Sequence, residues 1–266
     1  MIVLVTGATD GLGQAVADDL AEAGHTVLAH GRDPGKLAEQ EHAARTYRAD
    51  FASLDEVKAL ADELLEREER IDVLVNNAGI GTTLPGDGER MESHDGYELR
   101  FAVNYLAPFC LTERLRPRIA KRIVNVSSAG QMPIDFDDVM LERHYDPTRA
   151  YCQSKLAQVM HTFDLADMLD GVTANCLHPA TYMPTKMVLH ARGSAVSSLE
   201  EGAQATERLA IDPELDGVSG KYFNGLREAR AEAQAYDGEA RRRLRELSLS
   251  LCARASPRRP PSTPCR

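Results

Sequence analysis

The sequence predicts an α/β fold: a doubly wound parallel sheet of about seven strands with helices on both faces. Three observations predict it. Short β-branched runs alternate with longer amphipathic ones, as expected when helices cover a parallel sheet. A glycine-rich turn joins the first strand to the first helix. Nothing within residues 1–225 reads as a repeat or a linker, so residues 1–251 are expected to form a single domain.

The elements follow in order. "IVLVT" (2–6) is too short for a helix and stops at Gly7, which marks a strand. "GLGQAVADDLAEAG" (11–24) sets Leu12, Val16, Leu20 and Ala23 on one stripe and ends at Gly24, a helix terminator. "HTVLAH" (25–30) is a second strand and "RTYRAD" (45–50) a weaker third. "SLDEVKALADELLEREER" (53–70) opens with a Ser cap and an acidic first turn, and Leu54, Val57, Leu60, Ala61 and Leu64 face inward. "IDVLVNNAG" (71–79) is a strand running into a polar turn. A helix over 93–116, strand 121–128, helix 148–169, strand 172–179 and short strand 220–225 complete the alternation. Residues 236–251 form a charged helix, and the Pro-, Ser- and Arg-rich 252–266 reads as a disordered tail.

Composition narrows the function. The 266 residues are 43% hydrophobic and carry a formal net charge of −10. That balance argues against nucleic acid, which favours a basic stripe, and against an anionic membrane surface. No apolar run reaches the roughly 18 residues of a membrane span. The N-terminus lacks a secretory pattern, so a cytoplasmic protein is expected. The five cysteines have no C-x-x-C spacing, which points to inert thiols with neither metal nor disulfides.

The chemistry sits in four ordered motifs. "TGATDGLG" (6–13) places Gly7, Gly11 and Gly13 between a strand and a helix, where backbone can approach a pyrophosphate held at the helix N-terminus. "NNAG" (76–79), "VNVSSAG" (124–130) and "YCQSK" (151–155) follow, with Asn104 in "FAVNYLAPF". Together these motifs resemble the short-chain dehydrogenase/reductase family over roughly residues 1–225, in its compact, retinol-dehydrogenase-like branch. The resemblance implies a Rossmann-type fold, a nicotinamide cofactor and the interconversion of an alcohol with a ketone or aldehyde. It also implies a small or medium apolar substrate and a homodimer or homotetramer.

By the same resemblance, Thr6, Gly7, Asp10, Gly11, Leu12 and Gly13 cradle the phosphates. Asp50 and Phe51 lie at the adenine, Asn77, Ala78 and Gly79 beside the ribose, and Pro179 with Thr181 or Thr185 at the carboxamide. Gly31 stands where NAD-preferring members carry an acid, and Arg32 follows. An arginine fork suits a 2′-phosphate, so NADP(H) is favoured over NAD(H). Asp33 could instead pair with Arg32, and Asp10 stands where many NADP users are basic or neutral.

Tyr151 and Lys155 are one helical turn apart. A phenol of pKa near 10 exchanges protons poorly at neutral pH; a neighbouring ammonium lowers that value. Tyr151 is therefore the expected general acid in reduction and base in oxidation, with Lys155 tuning it and holding the nicotinamide ribose. Lysine is scarce here, at 36, 58, 121, 155, 186 and 221 only. The resemblance gives Ser128 the substrate oxygen, Asn104 a water relay to Lys155, and Ser127 a structural role.

Elsewhere the chain departs from the family pattern. Residues 131–149 are expected as a loop over the substrate mouth or an exposed flap, with His144 and Tyr145 as candidate substrate contacts. Asp135, Asp137 and Asp138 lack the partners of a metal site. Pro179-Ala180 replaces the family's Pro-Gly, and residues 181–205, with Tyr182, Met183, Met187, Val188 and Leu189, are expected to form a lid. His178 reads as structural. Two rival functions are a cofactor-sensing binding protein, which Tyr151 and Lys155 argue against, and an epimerase or dehydratase of the related larger fold, for which 226–266 leave little room.

Overall fold

The computed structural model of the chain describes residues 1–83, 89–185, 188 and 194–254. Eight strands form one sheet in the order β3-β2-β1-β4-β5-β6-β7-β8. The strands are β1 (Ile2–Thr6), β2 (Thr26–Gly31), β3 (Arg45–Arg48), β4 (Ile71–Asn76), β5 (Ile119–Val126), β6 (Thr173–His178), β7 (Lys221–Asn224) and β8 (Arg227–Ala229). The first seven are parallel; β8 folds back antiparallel on β7. The turn between them uses Gly225 at φ +57°, a left-handed conformation open to glycine. The chain order reverses between β1 and β4, so a crevice opens at their carboxyl ends.

The helices divide between the two faces. On one side α1 (Gly11–Glu22) and α7 (Leu199–Ile211) cover Val3, Val5, Val73, Val75 and Val124. On the other, α3 (Leu54–Arg67), α5 (Ala107–Leu115), α6 (Pro147–Met168) and α8 (Gly238–Ala253) enclose a larger core that includes Leu4, Leu28, Leu74 and Ile123. Alternate strand residues thus serve opposite layers, as the pleat requires.

Caps set the helix starts near the site. Ser53 Oγ accepts the Glu56 N–H at 3.3 Å to begin α3, and Asp146 Oδ1 accepts the Arg149 N–H at 2.6 Å to begin α6, with Pro147 following. Helix α6 is buried almost all round, which is why Gln153, Ser154, Lys155, Gln158, His161 and Thr162 lie inside the protein.

Several expectations need correction. A short α2 (Pro34–Ala38), begun by Asp33 Oδ1 accepting the Gly35 and Lys36 N–H groups, was not anticipated. The single helix expected over 93–116 starts only at α4 (Leu99–Phe101) and passes through a π-helical turn, Ala102–Leu106, before α5. Residues 131–149 are anchored to the fold and are not a free flap. Ile134, Val139 and Leu141 are buried; Gln234 bonds both the N–H and carbonyl of Ile134, and Gln153 Nε2 donates to the Val139 carbonyl at 2.7 Å. Residues 199–205 of the expected lid belong to α7, packed on α1 with Ala203 and Ala205 buried. Met187 and Leu189 lie outside the described residues, as does the tail from 255, while α8 itself runs past 251 to Ala253.

Candidate active site

The glycine turn is shaped by backbone needs. Gly7 and Gly11 have φ of +67° and +53°. A Cβ on Gly13 would lie 2.2 Å from both the Gly7 carbonyl oxygen and Asn77 Nδ2, so only glycine lets α1 start so close to the turn. Thr6 Oγ1 accepts the N–H groups of Asn77 and Ala78 at 3.0 and 3.1 Å, and Asn77 Nδ2 donates to the Thr6 carbonyl at 2.9 Å. These bonds lock the loop after β4 onto the loop after β1.

Asp10 makes no side-chain cap on α1; its carboxylate pairs with Lys36 at 2.5 Å. The first amides of α1 are therefore not taken by the side chain that usually caps them, and they suit an anionic group. Thr185 stands against this turn, its Cγ2 3.2 Å from where a Gly11 Cβ would be. Thr181 Oγ1 instead bonds His178 Nε2 at 3.0 Å, next to Pro179 at the end of β6.

His30 is a residue the sequence reading passed over. Its Nδ1 accepts the Gly7 N–H at 3.3 Å and its Nε2 bonds the Ala49 carbonyl at 3.1 Å, which fixes a neutral tautomer. Burial lowers its pKa to about 4. Phe51 stacks on it at 4.4 Å between ring centroids and is itself buried. Asp50 caps its own turn by accepting the Ala52 N–H at 2.9 Å. The signal was present as a lone polar residue inside an apolar strand.

At the ends of β2 and β3, Arg32 and Arg48 are both exposed, and Arg48 Nε donates to the Arg32 carbonyl at 3.1 Å. Asp33 is spent on capping α2 rather than on Arg32. A Cβ at Gly31 would meet Thr9 Cγ2 at 2.5 Å, so this position has no room for an acid unless Thr9 moves.

The four predicted catalytic residues gather at the carboxyl edge of β4 and β5. Lys155 Nζ lies 5.8 Å from the Tyr151 ring centroid. Ser128 Oγ accepts the Gly130 N–H at 3.0 Å, and the Tyr151 ring lies against the same glycine. Ser127 Oγ donates to the Lys155 carbonyl at 2.8 Å, a structural role as expected. Asn104 sits in the π turn, where its Oδ1 accepts the Ile80 N–H at 2.8 Å and its Nδ2 donates to the Ile80 carbonyl and to Ser154 Oγ. A Cβ on Gly79 would be 3.2 Å from Asn104 Oδ1 and 3.5 Å from Lys155 Nζ, so glycine keeps the space between them open.

The electrostatics differ from the sequence-based expectation. Burial raises the Tyr151 pKa, opposed by the Ser128 hydroxyl. Burial also lowers Lys155 to about 7. Within that buried setting Nζ donates to the Val126 carbonyl at 3.0 Å and to Gln158 Oε1 at 2.9 Å, contacts that favour the ammonium against the burial.

Tyr145 is tied to a buried arginine. Its hydroxyl accepts from Arg100 Nη1 at 2.6 Å, and Arg100, fully buried, also donates to the carbonyls of Gly81 and Thr82. This cluster, with Glu98, pins the 131–149 segment beneath the site. Among the described residues, no group of His, Cys, Asp and Glu could hold a metal ion, and no helix is long and apolar enough to cross a membrane.

The short chain dehydrogenase family profile matches residues 1–194. Mouse retinol dehydrogenase 13 is 37% identical, covering 94% of this chain and 83% of its own length, and human retinol dehydrogenase 14 is 34% identical over 92% and 84%. An uncharacterized Mycobacterium paratuberculosis protein solved by crystallography superimposes with a TM-score of 0.78 at 28% identity, covering 96% of this chain and 94% of that one. Glycine turn, locked loops and the Asn104–Ser128–Tyr151–Lys155 cluster thus stand together on a Rossmann-like sheet, and this chain belongs to the short-chain dehydrogenase/reductase family as an NAD(P)-dependent oxidoreductase of alcohols and carbonyl compounds.

Proposed function

We propose that this chain is an NADP(H)-preferring alcohol dehydrogenase and carbonyl reductase for an apolar substrate, with Tyr151 as its proton-exchanging group. The observation that carries the proposal is the convergence of the Ser128 hydroxyl and the Tyr151 ring, 3.5 and 3.8 Å from one point beside Gly130, with Lys155 Nζ 5.8 Å from that ring's centroid. A reduced carbonyl gathers negative charge on oxygen and needs a hydrogen-bond donor and then a proton. Ser128 Oγ accepts from Gly130, which leaves its own hydrogen available to donate to the substrate oxygen. Tyr151 delivers the proton in reduction and takes it in oxidation. The bound nicotinamide supplies the hydride or accepts it.

Thr6, Gly7, Asp10, Gly11, Leu12 and Gly13 are proposed to hold the phosphates, Asp50 the adenine end, and Asn77, Ala78, Gly79 and Lys155 the nicotinamide ribose. Pro179, Thr181 and Thr185 are proposed for the carboxamide. Arg32, joined by Arg48, supports a 2′-phosphate, and crowding by Thr9 at Gly31 supports exclusion of an NAD-selective acid. A cavity of about 310 Å³ by the end of β6 is lined by Pro179, Ala180, Thr181 and Leu226 and also by the polar Glu201, Gln204 and Asn224, so support for an apolar substrate comes from the relatives rather than from this lining. The retinol dehydrogenase relatives support a long-chain alcohol or aldehyde. A cytoplasmic homodimer or homotetramer completes the proposal, tested by cell fractionation and size-exclusion chromatography with light scattering.

Nicotinamide fluorescence titrations with NADPH and NADH test the cofactor; tighter binding of NADH would overturn the role given to Arg32. A panel of retinal and shorter carbonyls, followed by nicotinamide absorbance, tests the substrate class. Tyr151→Phe should lower kcat by roughly a thousandfold, the scale of a lost general acid, with cofactor affinity nearly intact. Full activity in that variant would refute the proton-exchange role.

A further inference from the structure

A buried polar ladder runs from the sheet to the ammonium of Lys155. Asn76 and Asn125 are side by side in register on β4 and β5, and Asn76 Nδ2 donates to Asn125 Oδ1 at 2.8 Å. Asn125 Nδ2 donates to Thr162 Oγ1 at 2.8 Å, and that hydroxyl donates to the Gln158 main-chain carbonyl, also at 2.8 Å. The side chain of Gln158 then faces Lys155, its Oε1 2.9 Å from Nζ. Gln158 is 3% exposed and Lys155 4%, so neither side chain has bulk water as an alternative partner.

The orientation of that amide is informative. Gln158 Nε2 is buried without a protein partner. Leaving a buried N–H unbonded is costly, yet turning the amide over would set donor against donor, because an ammonium has no acceptor. The carbonyl end is thus held on Lys155 at the expense of the other end. Val126 contributes the second acceptor, at 3.0 Å.

We propose that Gln158 is a positioning residue for Lys155: with the Val126 carbonyl it takes two ammonium N–H groups and leaves the third for the side of Nζ next to Gly79 and Asn104. The inference rests on the catalytic reading of Tyr151 and Lys155 given above, and adds a residue to it. Among the described residues, the groups facing Nζ from the surrounding elements are few. Tyr151 lies one turn back on α6, Val126 comes from β5, and the neutral Asn104 amide approaches across Gly79. Burial pushes the Lys155 pKa down, and the acceptors around Nζ oppose it. A neutral acceptor therefore stabilises the ammonium without adding a charge, and fixes its direction as well as its protonation.

With six lysines in the chain, selective carbon-13 labelling of lysine side chains gives a spectrum simple enough to follow Lys155 by pH titration in the cofactor-free protein. Lys155→Met identifies the resonance. Gln158→Leu should lower its titration midpoint by about one pH unit, the scale of one lost charge-assisted hydrogen bond. Gln158→Glu, nearly isosteric, should raise it. In turnover, Gln158→Leu should lower kcat with little change in the carbonyl KM, and Gln158→Glu should carry activity to higher pH. Should the leucine variant fail to fold, the glutamate variant alone decides. An unchanged Lys155 midpoint in the folded variants overturns the inference. Failure of the wild-type protein to bind either nicotinamide cofactor would instead sink the catalytic reading, and the labelled-lysine titration separates the two results.

Discussion

His30 makes a quantitative prediction for acid stability. It is 3% exposed, accepts from Gly7 at one nitrogen and bonds the Ala49 carbonyl through the other. Its pKa falls from 6.5 to about 4 on folding because burial penalises the imidazolium. A base with a depressed folded pKa favours the native state fully above its unfolded pKa. That contribution is lost as pH falls from 6.5 toward about 4, since the unfolded chain takes up the proton first. The full span is about 3 kcal/mol, of which about 2 kcal/mol is gone by pH 5. His161, 4% exposed with neither ring nitrogen bonded in the protein and a pKa lowered to about 3, loses stability with the same sign. Urea unfolding of wild type and His30→Asn at pH 7.5 and pH 5 isolates the first term. Asparagine keeps a side-chain acceptor near Gly7 but does not titrate. The variant should be less stable at pH 7.5 and lose about 2 kcal/mol less than wild type on going to pH 5. Other titrating groups cancel in the difference between the proteins. An identical pH dependence in both would refute the reasoning that His30 is held neutral.

Two further perturbations follow from the same contacts. Gly13→Ala places a Cβ against the Gly7 carbonyl and Asn77, which cannot both retreat. Denaturation should show a loss of about 1–3 kcal/mol, the scale of an overpacked interior, together with at least tenfold weaker NADPH binding by fluorescence. Glu207 on α7 faces Asp19 on α1, and burial with that like charge raises its pKa to about 7. A raised carboxyl pKa contributes stability at low pH that is lost as pH rises through about 7, so Glu207→Gln should raise the urea midpoint at pH 8 more than at pH 5.

Much of the site was legible because it is written in local spacing. The glycine turn, the "NNAG" loop and the one-turn separation of Tyr151 from Lys155 are each set by a few neighbouring residues. Helix and strand periodicity placed the two loops at strand ends and the Tyr151–Lys155 pair on a helix. The seven parallel strands came from the same alternation, whereas β8 did not, because three half-exposed residues after a tight turn carry almost no pattern. The π turn at Asn104 was hidden for a different reason. It is the bonds to Ile80 and Ser154, distant in sequence, that fix where Asn104 points.

The sequence by itself determined the sheet order's chemistry-bearing ends and the residue types delivered there, since glycine freedom and helical spacing are properties of short segments. Only the tertiary structure decided how those residues are charged and aimed. Folding buried Tyr151 and Lys155 together and turned the ammonium onto Val126 and Gln158. It also drew Tyr145 onto Arg100 and stacked Phe51 on His30. Desolvation and hydrogen-bond partners come from segments far apart along the chain, so protonation and orientation exist only once the layers have packed.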